Sequence, residues 1–259
     1  HPSAELIGKT VKEEAIFVNG TRLPLEELLE ANTEKYTSVY ADRGKKGEPT
    51  RVSDGKGLVK CYEGAPVDKV KVYIPVFPGT NCDYDTARAF ERAGAEVDIT
   101  VFKNLTGDDV LESIKEMKEH IAECHIMMLS GGFSAGDEPD GSGKFIANVL
   151  NNKDVADAIH ALLDRGGLML GICNGFQALV KSGLLPYGRL GMVTSESPTL
   201  FRNDINRHIS QIVSTRVGTT ASPWLKSFEV GDIHSIAVSH GEGKFVVSDV
   251  MAGQLFRNG

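Results

Sequence analysis

Three things are scarce in this 259-residue chain, and each scarcity narrows what it can do. No run approaches the roughly 20 apolar residues that carry a helix across a bilayer, so no membrane association is expected. The opening residues His1-Pro2-Ser3-Ala4-Glu5 are polar and lack the apolar stretch of a signal peptide. An opening residue other than methionine fits a processed chain, a tag remnant or a piece of something longer. Cysteine is limited to Cys61, Cys82, Cys124 and Cys173, none spaced as CxxC. That argues against a zinc knuckle or a thioredoxin-type motif, and so few thiols in so long a chain do not make a disulfide framework. A reducing, cytoplasmic setting and no metal site are the expectations. Positive charge is the third scarcity. Lys and Arg number 28 against 35 Asp and Glu, a net charge of −7 that disfavours binding to nucleic acid.

What is present is ordinary for a globular protein: 41% hydrophobic and 24% charged residues, enough for one large domain with an appendage or for two small domains. Residues 1–69 differ from the rest. Residues 9–19 mix charge with short apolar runs, 23–31 carry leucines at helical spacing, and 42–57 are a charged, glycine-rich stretch that reads as exposed loop or linker. No chemistry is visible in this appendage. From Val70 to the end, strands alternate with helices. Strands are predicted at 70–77, 96–102, 126–130 and 168–172, although Pro75 has no N–H to give a ladder. Helices are predicted at 84–94 with Ala87, Phe90 and Ala93 inward, and at 108–123 with Val110, Leu111, Ile114, Met117 and Ile121 on one face. Further helices are predicted at 144–150, 155–165 and 174–182. Beyond Leu185 the texture is β-rich, with strands predicted at 209–217, 234–239 and 244–247 and no closing element over 251–259.

Apolar strands alternating with helices predict an α/β fold, a mostly parallel sheet with helices on both faces. Ligands bind at the carboxyl ends of such strands. The turns at 78–83, 131–137 and Cys173 all follow strand ends and would share one rim.

The third of these turns carries the chemistry. In Leu168-Met169-Leu170-Gly171-Ile172-Cys173-Asn174-Gly175-Phe176-Gln177 an apolar strand breaks at a glycine, presents a cysteine, and restarts as a helix after a second glycine. So sharp a strand-to-helix turn needs neighbours without Cβ. A thiol at a helix N-terminus has its thiolate, the nucleophilic form, favoured by free N–H groups and the helix dipole. The backbone N–H of Asn174 is one candidate oxyanion donor, and the Gly132-Phe133 stretch is placed to supply another. A cysteine nucleophile also needs a base. His240-Gly241-Glu242 has the form H-x-E, nominating His240 with Glu242 as its orienter; the competing reading is a binding loop at a strand end.

Four stretches, FPGTNCDYDTARAFERAGAEV, LSGGFSAGDE, GICNGFQAL and SHGEGKF, in this order and spacing, resemble the class I (triad) glutamine amidotransferase domain of phosphoribosylformylglycinamidine synthase. The resemblance covers 70–259, and 1–69 resemble the segment that precedes this domain in the large single-chain form of the synthase. It implies a flavodoxin-like fold and hydrolysis of glutamine by Cys173 through a γ-glutamyl thioester. It further implies an oxyanion held near Phe133 and Asn174, and glutamine contacts from Gly131, Gln177, Ser239, His240, Gly241 and Glu242. Ammonia would pass to synthase domains of the same polypeptide, where ATP and magnesium act; the amidotransferase domain itself would need no cofactor. In the family the catalytic His and Glu follow the HGEG loop as a separate H-x-E pair. None follows here before Gly259, so the chain is expected to be truncated, its base missing, and His240 and Glu242 to be substrate-loop residues. The alternatives are a DJ-1/PfpI-like or dienelactone-hydrolase-like cysteine hydrolase, which would not combine Gln177 with HGEG, or a catalytically incomplete docking module.

Overall fold

The computed structural model describes residues 7–39, 67–134 and 143–257. Cys61, the linker expected at 42–57 and residues 135–137 of the glycine-rich turn lie outside the described residues. The described residues fall into two compact units, one holding 7–39 and 204–206 and the other holding 67–134, 143–203 and 207–257.

The first unit is a hairpin and a helix. Strands β1 (Ala15–Val18) and β2 (Thr21–Pro24) pair antiparallel, with Val18 opposite Thr21. Asn19 and Gly20 form the turn at φ of 50° and 83°, the left-handed conformation that a two-residue hairpin loop requires. Helix α1 spans Leu25–Val39. The helix expected from residue 23 therefore starts later, because Leu23 and Pro24 belong to the hairpin.

The second unit is built on a parallel sheet in the order β4-β3-β5-β6, from strands β3 (Lys71–Val76), β4 (Glu96–Val101), β5 (Ile126–Leu129) and β6 (Leu168–Gly171). Pro75 is accommodated because β3 is registered with β5 only at Val72 and Tyr73, so the proline lies beyond that ladder. Alternation along β3 and β5 sends side chains to two cores. Val72, Ile74 and Met128 pack with Ala87 and Phe90 of α2 (Asp83–Arg92) on one face. Tyr73, Met127 and Leu129 pack on the other with Met117 and Ile121 of α3 (Gly107–Glu123), Ile146 and Leu150 of α4 (Lys144–Leu150), and Ile159 and Leu162 of α5 (Lys153–Asp164). Helices thus cover both faces, the α/β arrangement that the alternation of strands and helices predicts.

Helix α3 opens on a capping box: Thr106 Oγ1 accepts from the Asp109 N–H, while the Asp109 carboxylate accepts from the Thr106 N–H. Two expected inward residues are not inward. Leu111 is 67% exposed, and Ala93 lies on the solvent side. Ser113 takes the buried position on α3 because its hydroxyl accepts the Lys103 N–H at 2.9 Å, closing the connection from β4.

After α6 (Asn174–Lys181) and the short α7 (Leu184–Tyr187), the chain forms two antiparallel pairs. β7 (Thr199–Phe201) pairs with β10 (Lys244–Val246), and β8 (Ile209–Arg216) pairs with β9 (Ile233–His240). A final helix, α8 (Asp249–Arg257), stands where no closing element was expected.

Cys124 at the end of α3 is buried, and burial raises its thiol from 9.0 to about 11, with the neighbouring Arg165 guanidinium opposing. A folded-state pKa above the unfolded value stabilises the fold fully below the unfolded value, and that contribution is lost as pH rises through the folded one. Stability should therefore drop between about pH 9 and 11, by roughly 2 kcal/mol from this group. Chemical denaturation of the wild type and Cys124→Ala across that range checks it: the alanine variant should show the shallower decline.

Candidate active site

Strand β6 delivers Cys173 at φ 54° and ψ −110°, a conformation that non-glycine residues rarely adopt. The residue is exposed and stands at the N-cap of α6. The flanking glycines are needed for close approach. A Cβ on Gly171 would lie 2.7 Å from the Gly175 backbone, and a Cβ on Gly175 would run into the Leu129 carbonyl at the end of β5. The predicted elbow is therefore present.

Beside it lies the glycine-rich turn after β5. A Cβ built on Gly131 would sit 3.4 Å from the Cys173 Cβ and 3.5 Å from the Cys82 Sγ, so this backbone passes between the two cysteines. The turn after β3 is zipped to it. The Asn81 N–H donates to the Gly131 carbonyl at 3.3 Å and the Phe133 N–H donates to the Gly79 carbonyl at 2.7 Å. Gly132, at φ 148°, comes so close that a Cβ would lie 2.5 Å from the Gly79 oxygen and 2.8 Å from the Thr80 Cα; a Cβ on Gly79 would strike the Phe133 carbonyl.

This pairing corrects one expectation. The Phe133 N–H, assigned to the oxyanion, is spent on Gly79. Thr80 and Gly132 face each other between the flanking hydrogen bonds, and such a pair turns its own N–H and C=O groups outward. The Gly132 N–H is therefore the one directed away from the Gly79–Cys82 turn. Asn174 opens α6, where a backbone N–H has no intrahelical acceptor.

Residues Asn174 and Gln177 lie three apart on α6 and are both buried. The Ser134 N–H donates to Asn174 Oδ1 at 3.3 Å, Asn174 Nδ2 donates to Gln177 Oε1 at 3.2 Å, and Gln177 Nε2 donates to the Glu242 carbonyl at 2.8 Å. The Gln177 carboxamide, expected against glutamine, is thus bonded to protein at both ends. Glu242 is 4% exposed. Burial lowers the Lys181 ammonium, one turn beyond Gln177, and Glu242 opposes that shift.

His240 meets a residue that sequence reading passed over. Asn203, 5% exposed, donates its Nδ2 to the carbonyls of His240 and Arg207 at 2.8 and 3.0 Å, and its Oδ1 accepts from the Gly243 N–H at 3.3 Å. Those partners fix the amide orientation, so the 2.9 Å contact of Oδ1 with His240 Nδ1 places a proton on that ring nitrogen. The Asn203 N–H bonds the Gly241 carbonyl, and the His240 ring lies over Gly243 where a Cβ would be. Ser239 shares a 2.8 Å hydrogen bond with His208 Nε2. Asn203→Ala should loosen this loop and lower stability by about 1–3 kcal/mol, because the carbonyls of His240 and Arg207 and the Gly243 N–H lose their partner away from water; thermal denaturation checks it.

Each of the six described histidines has a partner other than Cys173. His120 stacks on Tyr73, His125 accepts from Lys71, His160 accepts from Leu190, His208 meets Ser239, His234 meets Phe228, and His240 meets Asn203. Among the described residues, then, the elbow, the glycine turn and the HGEG loop are joined through α6, and no histidine is bonded to the thiol.

The model of the CobB/CobQ-like glutamine amidotransferase domain matches residues 69–259. Phosphoribosylformylglycinamidine synthase subunit PurQ of Dehalococcoides mccartyi is 35% identical over 190 residues, 73% of this chain and 68% of that protein. The PurQ subunit of Roseobacter denitrificans is 33% identical over 182 residues, 70% of this chain and 69% of its own. A solved structure, PurLQS from Thermotoga maritima, superposes with a TM-score of 0.52 at 29% identity, covering 70% of this chain and 71% of that one. With a nucleophile elbow in place and most of its length matched, the chain belongs to the CobB/CobQ-like glutamine amidotransferase domain family.

Proposed function

We propose that this domain is the glutaminase of a phosphoribosylformylglycinamidine synthase, hydrolysing glutamine and supplying ammonia for amidine formation in purine biosynthesis. The observation that carries this reading is Cys173 at its strained elbow against the Gly131 turn, in a chain whose relatives are PurQ subunits of that synthase.

In the proposed reaction the Cys173 thiolate attacks the side-chain amide carbon of glutamine. The tetrahedral oxyanion is held by the backbone N–H groups of Asn174 and Gly132, the latter replacing Phe133. The carbon–nitrogen bond breaks, the nitrogen leaves as ammonia after taking up a proton, and a γ-glutamyl thioester remains. Water adds to the thioester, the carbon–sulfur bond breaks, and glutamate departs. Gly131, Gln177, Ser239, His240, Gly241 and Glu242 are proposed to frame glutamine. His240, held at Nδ1 by Asn203, is proposed as a residue of the substrate loop rather than the base, since its described partner is Asn203 and not Cys173. ATP and magnesium belong to the synthase part, and this domain needs no cofactor of its own. Its partner is the synthase, either in one large polypeptide or as a separate subunit, and its setting is the cytoplasm. No described helix is long and apolar enough to cross a membrane.

The test uses the full natural chain with its synthase. Glutamate release and covalent labelling at Cys173 by an electrophilic glutamine analogue are expected. Ester cleavage without glutamate release would favour a cysteine hydrolase of the DJ-1/PfpI or dienelactone hydrolase kind instead.

A further inference from the structure

Two of the described cysteines are exposed, and they stand at matching places along the sheet. Cys82 is the N-cap of α2, beyond the end of β3, and Cys173 is the N-cap of α6, beyond the end of β6. Strand β5 lies between those two strands, so the turn that follows it at Gly131 rises between the two thiols. The Cys82 N–H is tied to that turn, donating to the Gly131 carbonyl at 3.4 Å. Gly131 has no side chain, and the space its Cβ would take is bounded by the Cys173 Cβ at 3.4 Å and the Cys82 Sγ at 3.5 Å. Those two atoms are therefore no farther apart than the two distances laid end to end. Rotation about the Cα–Cβ bond of each cysteine is the movement that brings sulfur to sulfur, and no side chain at Gly131 obstructs it. Burial raises the Cys82 thiol, and so do the nearby Cys173, Asp85 and Asp83, which keeps it protonated at neutral pH. It donates that proton to Asn81 Oδ1 at 3.2 Å. Cys124, by contrast, is buried, with its Sγ on the Ile121 carbonyl.

We propose that Cys82 and Cys173 form an oxidation site. A hydroperoxide oxidises Cys173, Cys82 resolves it as a disulfide across Gly131, and glutamine hydrolysis stops until a thiol reductant reopens the bridge. The loss of hydrolysis rests on the glutaminase reading, whereas the disulfide does not. In the first step the Cys173 thiolate attacks one peroxide oxygen. The S–O bond forms, the O–O bond breaks and hydroxide leaves, giving a sulfenic acid. The Cys173 sulfur then carries no charge, which removes one of the influences that hold the proton on Cys82. Cys82 gives up that proton and attacks the oxidised sulfur. The S–S bond forms, the S–O bond breaks, and the hydroxyl leaves with the proton as water. Both sulfurs end oxidised, and the peroxide is the group reduced. Exposed bridges are the readily reduced kind, which suits a reversible block where thiols are normally kept reduced.

The experiment exposes the full natural chain with its synthase to hydrogen peroxide, as wild type, Cys82→Ser and Gly131→Ala. Readouts are peptide mass mapping of the cysteines, and glutamate release before and after dithiothreitol. Serine keeps a donor for Asn81, and untreated Cys82→Ser should match untreated wild type. Peroxide should cost both proteins about tenfold or more in glutamate release. Wild type should show the bridge between Cys82 and Cys173 and return to its starting rate on reduction. Cys82→Ser should show Cys173 sulfinic acid and stay about tenfold down after reduction, because no thiol captures the sulfenic acid before a second oxidation. Gly131→Ala, followed by mapping alone, should yield about threefold less bridge, since its methyl would touch both partners. No such bridge in the wild type, a bridge from Cys173 to Cys61 or Cys124 in its place, or equal recovery of wild type and Cys82→Ser would overturn the proposal. Cys82→Ala gives the same comparison should serine disturb the turn. A wild type without glutamate release before peroxide would count against the glutaminase reading; the mapped bridge would still judge the cysteine pair.

Discussion

Cys173→Ala and Cys173→Gly should both lose glutamate release by about 10⁴-fold or more, the scale on which removing a covalent nucleophile acts. Their stabilities should differ. At φ 54° and ψ −110° an L-residue holds backbone strain of about 1–3 kcal/mol, and alanine keeps its Cβ and hence the strain. Glycine relieves it, at an entropic cost of about 0.5–1 kcal/mol in the folded chain. The glycine variant should therefore be more stable than the wild type by about 1 kcal/mol, and the alanine variant close to it. Glutaminase assays and denaturant midpoints on the three proteins check this. A glycine variant less stable than the wild type would mean that the elbow is not strained as its geometry indicates.

Gly175→Ala should have the largest structural effect. The added methyl meets the Leu129 carbonyl, backbone at the end of a central strand, and no side chain can turn aside to admit it. Helix α6 must lift or β5 must shift, and overpacking of this sort costs about 1–3 kcal/mol or more. For a domain this size that is roughly 3–10 °C in melting temperature. Because α6 carries Cys173, Asn174 and Gln177 together, kcat should fall with stability, by about 100-fold. Gly107→Ala is the control: a Cβ there meets nothing within 4 Å, at the start of α3, and it should be neutral. Equal behaviour of the two alanine variants in melting and turnover would refute the crowding argument.

The sequence made the elbow legible because its requirements are local. Two glycines and a cysteine within five residues, between an apolar strand and a helix, encode a turn without help from the rest of the chain. The sheet was legible for a similar reason: Val, Ile, Met and Leu runs end at glycine-rich turns. The Asn19-Gly20 hairpin was passed over although its turn signal is local, because Ile16, Phe17 and Val18 are all about half exposed and show no alternation to mark a buried face. Helix α8 was passed over because it contains Gly253, a weak helix former, and buries no residue fully. The misassigned Phe133 N–H was settled by a backbone pairing with Gly79 that no side-chain pattern announces. Asn203 was invisible for the same reason. Its partners His240, Gly241 and Gly243 come near it only through the fold, since Asn203 follows β7 and this loop precedes β10, and the two strands pair with Phe201 opposite Lys244. Local chemistry could be read from the chain; side chains whose task is to hold another loop in place could not.

The interlocked glycines of the two turns have a consequence for heredity. The space a Cβ would take on Gly79 is filled by the Phe133 carbonyl, and the space on Gly132 is filled by the Gly79 carbonyl and its neighbours. Each glycine is thus required by the backbone of the other turn, and restoring one cannot compensate for a change in the other. A descendant lineage can abandon either only by separating the two turns. Chimaeras that join the first motif of one relative to the second motif of another should therefore work only where both parents keep both glycines.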